Sequence, residues 1–186
     1  MRAVSGATRA GIVDAGARCI IRDGVAHATM AVIAAECGVS KALLHYHFAH
    51  RAALLSEAAM LLGRRLVTRE RRALEHANAK NAIDELWRWL HREIERGELR
   101  ALLELATVRE PALEEVIVHI DAERRATTGH MVTALFTRLR LTPRVESALI
   151  AGAVIAFVNG LATGGVTEDA RTSFDVFWLA MLSLGE

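Results

Sequence analysis

Apolar residues recur every three or four positions along most of the chain, the spacing of one helical face rather than the alternation of a strand. Ile12, Ala15, Gly16, Cys19 and Ile20 form the first such arc, predicting a helix from about Ala7 to Asp23 that Gly24 ends as a left-handed cap. A short second helix follows, with Thr29 as N-cap, Ile33, Ala34 and Cys37 facing inward, and Gly38 as its stop. Ser40 caps a third, in which Leu44 and Phe48 supply an i, i+4 apolar pair. Two short helices joined by a glycine-containing turn make a helix-turn-helix.

The next segment, 51–76, gathers Leu55, Ala59, Leu62 and Leu66 into one sector and sets Arg64 and Arg71 opposite. It reads as a helix bridging an N-terminal domain, 1–50, to a second helical domain, 51–186. Asn81, with Asp84 at the third position, suits the cap of a helix whose stripe is Ile83, Leu86, Trp87, Leu90 and Ile94, ended by Gly97. Another helix reaches about Val108, Pro111 opens a long one to about Leu141, and Pro143 starts the next. Segment 142–163 is apolar on nearly every side, and 173–184 carries Phe174, Phe177, Trp178, Met181 and Leu182. One copy of the chain offers no cover for both faces, so these two helices are expected to form a four-helix interface in a homodimer.

Composition narrows this to an all-α protein of modest size. Over 186 residues, 52% are apolar, 24% charged and only two are Pro, which supports a packed helical core and excludes a large multidomain enzyme. Cys19 and Cys37 fall on apolar arcs and read as buried reduced thiols, too few for a disulfide framework. The opening residues lack the charged and apolar regions of a leader, and the longest apolar run, Ala148 to Val158, is shorter than the roughly 18–20 residues that span a bilayer. The expectation is a cytoplasmic protein with no membrane partner, that run being a buried helix. Net charge is +1, yet residues 1–76 carry +5 and residues 77–186 carry −4. A basic N-terminal third suits a polyanion.

The residues from Thr29 to Leu55, TMAVIAAECGVSKALLHYHFAHRAALL, follow a first helix ending IIRDG. Gly38-Val39-Ser40-Lys41, then Leu44, His47 and Phe48, then Arg51 and Leu54-Leu55, resemble the TetR family of bacterial transcriptional regulators (TetR/AcrR type) over about residues 7–60. The resemblance implies a three-helix unit that binds double-stranded operator DNA as a dimer, and a divergent helical domain that binds a small-molecule effector and releases the DNA. Carried over position by position, Thr29 is the cap residue touching the DNA backbone, and Lys41, Ala42, Leu43, His45, Tyr46 and His47 lie on the recognition helix. His45 stands where the family usually has Tyr, Ala42 where Gly is common, and Arg51 where Lys is usual. His for Tyr keeps a donor and adds a titratable one.

Charge and groove chemistry point the same way. The helix start at Ser40 offers free amides to a phosphate, Lys41 adds a full charge, and Arg51 is placed to clamp a second phosphate. Lys41 suits guanine and Leu43 a thymine methyl. His45, His47 and His50 do not share a face and lack a completing thiol or carboxylate, so no metal is expected. His119, Glu123 and His130 do share a face of the long helix but read as solvated side chains. Trp87, Trp89 and His91 read mainly as packing, with Trp89, off the stripe, the one pointing to a cavity. The run Arg64 to Arg72 reads as a wet face. No phosphate loop, nucleophile elbow or paired carboxylates suggest an enzyme, and no catalytic residue, cofactor or ligand contact is assigned. The reading is a ligand-responsive regulator, a repressor on a palindromic operator. Its alternative is a DNA-binding adaptor that holds a protein partner and has no effector.

Overall fold

The structure is a computed structural model that describes residues 8–75, 81–165, 167 and 169–186. The expected helix limits Ala7 and His76 lie outside the described residues. Among those described there are nine helices and no strand: α1 (Arg9–Asp23), α2 (Met30–Cys37), α3 (Lys41–His47), α4 (Arg51–Glu75), α5 (Ala82–Arg96), α6 (Glu98–Leu105), α7 (Pro111–Arg138), α8 (Ser147–Gly164) and α9 (Ala170–Leu182). They fall into two compact units, one running through Arg65 and including Arg100–Ile120, the other made of Leu66–Leu99 and Asp121–Glu186. The parting of these compact units lies within α4. Leu54, Leu55, Ala58, Ala59 and Leu62 at the start of α4 are all fully buried, which makes this stretch part of the first core.

In the first unit α1 is capped by Thr8, whose hydroxyl accepts from the Gly11 amide at 3.3 Å. Gly24 does end α1 with a positive φ of 83°, but its ψ of 162° is extended, so it turns the chain out of the helix without a left-handed cap. Gly38 is the left-handed one, with φ 66° and ψ 31°, and its amide donates back to the Ala34 and Ala35 carbonyls. Ile12, Cys19, Ile20, Ile33, Leu44 and Phe48 join the α4 residues in the core. Gly16 allows α1 to meet α4 closely, since a Cβ there would stand 2.7 Å from Leu54 Cδ2. Cys19 is buried as expected, whereas Cys37 is half-exposed; both are free thiols.

In the second unit several sequence expectations shift. Helix α5 buries Leu86 and Leu90, but the rest of its inner face is Ala82, Trp89 and Glu93, while Trp87 and Ile94 are only half-buried. The helix is turned toward Arg69, whose guanidinium binds the Glu93 carboxylate through bonds of 2.7–2.9 Å. Asn81 precedes α5 but its side chain makes no cap bond. Helix α7 stops at Arg138, Arg140 adopts a left-handed φ of 59°, and α8 begins at Ser147 rather than at Pro143. Residues 142–144 are instead paired with the end of the chain: Thr142 and Glu186 exchange amide bonds of 2.8 and 3.0 Å, and Pro143 and Gly185 form an isolated antiparallel bridge.

In one copy, helix α8 is buried along one face only. By length and composition it is apolar enough to cross a membrane, yet Ile150, Ala151, Ile155, Val158 and Ala162 alone are buried. Its other face turns Leu149, Ala153, Ala156 and Gly160 outward, Leu149 at 65% exposure. Helix α9 likewise turns Val176 and Leu179 outward, at 60% and 71%.

Candidate nucleic-acid interface

The α2–turn–α3 segment is built by local bonds. The Thr29 hydroxyl accepts from the Val32 amide at 3.3 Å, and the Ser40 hydroxyl from the Leu43 amide at 3.1 Å, so both helices start where their caps place them. Leu44 and Phe48 pin α3 to the core. The remaining α3 positions turn outward: Lys41, Ala42, His45 and Tyr46 are exposed, Leu43 and His47 half-buried. Tyr46, at 82% exposure, holds its ring edge-on to His47 with centroids 5.3 Å apart. An aromatic left this exposed gains little from folding.

The far end of α3 is held by a residue that sequence reasoning overlooked. Arg9 binds the Glu57 carboxylate, with Nε 3.0 and 3.2 Å from its oxygens, donates to the His47 carbonyl, and lies 4.1 Å over the Phe48 ring. One guanidinium thus ties α1, the C-terminus of α3 and α4 together. Only its proximity in sequence to the first helix start was visible, and that names no partner. Arg51 also acts inside the unit: its Nε donates to the Ala28 carbonyl at 2.9 Å and its Nη2 to that of Val25. Two of its donors hold the α1–α2 loop, so Arg51 positions that loop within the unit. His50 accepts from the Ala53 amide at 3.2 Å and so caps α4.

Pairing changes the meaning of the +5 charge. Arg18 and Arg22 share Glu36, with Nε–Oε1 at 3.2 Å and Nη1–Oε2 at 3.0 Å, and Arg65 binds Asp14 at 2.7 Å. The bonds from Arg22 and then Arg18 hold the Glu36 carboxyl below its ordinary range. Much of the basic charge is therefore consumed in bracing α1, α2 and α4. The Lys41 ammonium has no partner among the described residues and stands on the exposed face of α3. Arg64 and Arg71 are exposed on α4, as expected.

Within the second unit lies a small apolar cavity of about 40 Å³. Its wall includes Leu86, Trp89, Val158, Phe174, Phe177 and Trp178, and its polar groups come from Glu70, Arg124 and Thr128. Arg124 donates to Glu70 Oε1 from Nε at 3.3 Å and Nη2 at 3.2 Å, and to Asn159 Oδ1 at 3.1 Å. Both members of this ion pair are buried, Glu70 at 3% and Arg124 at 5% exposure. Burial pushes the Glu70 carboxyl above its ordinary value while the Arg124 charge pulls it back. Glu70 Oε2 and Trp89 Nε1 are buried without a hydrogen-bond partner. Trp89, set apart in the sequence from the core stripe, does line this cavity. His119, Glu123 and His130 are exposed, and no group of three potential metal ligands occurs among the described residues.

Residues 12–58 match the family described as bacterial regulatory proteins, tetR family. No curated protein matches the chain. Among solved structures, a TetR transcription regulator from Haloarcula marismortui is 20% identical, with a TM-score of 0.75 over 96% of this chain and 98% of the other. A transcriptional regulator from Rhodococcus sp. Rha1 is 16% identical, with a TM-score of 0.75 over 96% and 97%. The multidrug binding protein EbrR, complexed with imidazole, is 21% identical, with a TM-score of 0.63 over 93% and 94%. At these identities the likeness is one of fold, and it extends through the second unit.

Proposed function

We propose that this chain, which carries the DNA-binding domain of the tetR family of transcriptional regulators at residues 12–58, is a homodimeric repressor released from a palindromic operator by a small molecule. The observation that carries the reading is the outward face of α3. A helix fixed by Leu44 and Phe48 inside, Ser40 at one end and Arg9 at the other presents Lys41, Ala42, His45 and Tyr46 to solvent. A rigid helix with an unpaired cation and polar rings outward is what a major groove admits. In this reading Lys41 meets a phosphate or guanine, Leu43 a thymine methyl, and His45, Tyr46 and His47 the adjoining backbone and base edges. Thr29 and Ser40 approach phosphates at the helix starts, and Arg51 keeps the α1–α2 loop in place. The protein acts in the cytoplasm and performs no catalytic step.

The dimer forms through α8 and α9, whose outward Leu149, Val176 and Leu179 are apolar without cover in one copy. Two recognition helices then enter major grooves one helical turn apart, or a multiple of it. The effector occupies the cavity around Glu70 and Trp89 and favours a spacing of those helices that the operator does not match. A coupling of about 1–3 kcal/mol changes operator affinity roughly 5- to 150-fold. The fold shared with a multidrug binding protein that holds imidazole supports a small-molecule site.

The test is fluorescence anisotropy of the purified protein with its own upstream intergenic DNA, against unrelated DNA at one stated salt concentration, followed by a screen for compounds that release it. Selective binding and release by a compound are expected. Selective binding that no compound reverses, together with stoichiometric capture of a protein, would replace the effector reading by that of an adaptor.

A further inference from the structure

We infer that the cavity of the second unit selects an apolar molecule bearing a hydroxyl group, an alcohol or phenol, and that Glu70 and Trp89 recognise that hydroxyl. The inference rests on reading this cavity as the effector site, and it adds the chemistry of the effector. Most of the wall is aliphatic or aromatic, so the body of the ligand is apolar. Two residues of that lining each carry a buried polar atom without a protein partner: Glu70 Oε2, an acceptor when the carboxylate is ionised, and Trp89 Nε1, a donor. Each is buried, and an unpaired buried polar atom is costly, so a ligand that pairs both is rewarded twice.

Arg124 decides between candidate head groups. Its bonds go to Glu70 Oε1 and Asn159, so the pair is already neutral and asks no counter-ion of a ligand. A carboxylate would face the Glu70 charge, and an ammonium would face Arg124 with nothing to accept from the indole N–H. An ether or ketone accepts but has no proton to give. A hydroxyl donates to Glu70 and accepts from Trp89 with one atom. It also serves Glu70 in either protonation state, since it is donor and acceptor alike. At about 40 Å³ the cavity is smaller than the roughly 150 Å³ that admits benzene, so a ring is taken up as half-buried Met131 and Phe177 give way.

Calorimetric titration of the full-length protein with phenol, toluene and benzoate tests this, because toluene has the shape of phenol without the hydroxyl. Phenol is expected to bind at least about tenfold more tightly than toluene, and benzoate no more tightly than toluene. In Glu70→Leu/Arg124→Met, which removes both charges together, and in Trp89→Phe, the phenol preference should fall toward one, with circular dichroism confirming the fold. Equal binding of phenol and toluene, a preference that survives the double substitution, tightest binding by benzoate, or no binding of any probe would each overturn the inference. Operator binding by the same ligand-free protein is measured alongside. Its loss would overturn the regulator reading, whereas intact operator binding with a failed phenol preference would overturn only the chemistry assigned to the cavity.

Discussion

Arg124→Met should destabilise the second unit by about 3–5 kcal/mol at neutral pH, the usual loss when one partner of a buried ion pair is removed. The magnitude follows from the site. Glu70 is 3% exposed, its Oε2 already lacks a partner, and Arg124 supplies both bonds to Oε1. Without Arg124 the carboxylate is left charged in an apolar wall or must take up a proton. Burial raises its pKa in the folded state above the ordinary value of 4.5, so the folded variant binds the proton more tightly than the unfolded chain does. Stability of the variant therefore falls as pH rises from the ordinary carboxyl range through the raised value, and the penalty is smallest at acidic pH. Glu70→Leu/Arg124→Met removes both charges and should return to within about 1–2 kcal/mol of the parent. Half-buried Asn159, which also loses its bond, can hydrate. Urea denaturation followed by tryptophan fluorescence reads this unit directly, because Trp87, Trp89 and Trp178, the three tryptophans of the chain, all lie in it. A double variant as unstable as Arg124→Met, or a single variant that loses less than about 1 kcal/mol, would refute the reasoning.

Lys41→Ala should weaken operator binding and lower the slope of log affinity against log salt by about one; an unchanged slope in anisotropy titrations would remove Lys41 from the phosphate contacts. Arg9→Ala releases the His47 carbonyl and Glu57, so operator affinity should fall while the thermal melt moves little, the ion pair being half-exposed. Equal operator affinity would show that α3 holds its place without Arg9. Leu149→Arg with Leu179→Arg places charge on the outward faces of α8 and α9 and should give a monomer by light scattering; a persisting dimer would place the interface elsewhere. The Glu36 carboxyl, held low by Arg22 and Arg18, contributes stability above the ordinary carboxyl range that is lost as pH falls through its folded value. Glu36→Gln should accordingly flatten the acid limb of the pH–stability profile, measured by thermal melts.

Much of the first unit was legible because its signals are local. Thr29, Gly38 and Ser40 act on amides or carbonyls a few residues away, so their identity and spacing were enough to place α2 and α3. The Arg9 clamp joins residues 38 and 48 positions apart, and no local pattern encodes such a pairing. Arg51 was recognised as a cation but its partners were not, for the carbonyls that engage it belong to a loop whose path depends on the finished core. In the second unit the α5 stripe kept Leu86 and Leu90 but left out Glu93, a charged residue that only the distant Arg69 draws inside. Helix α8 began later than Pro143 suggested, since residues 142–144 pair with the chain end, an interaction that spans more than forty positions. Trp89 stood out only as an aromatic off the stripe, and its cavity depends on residues from five helices.

The most direct test of the central claim is selection of bound sequences from a random double-stranded DNA pool by the full-length protein, with affinity and stoichiometry then measured on the selected DNA at stated salt. The account predicts a palindromic site with half-sites about one helical turn apart, or a multiple of it, occupied by two protomers, and lost on Lys41→Ala with Tyr46→Ala. Recovery of no preferred sequence, or of a site without symmetry bound by a single protomer, would contradict it.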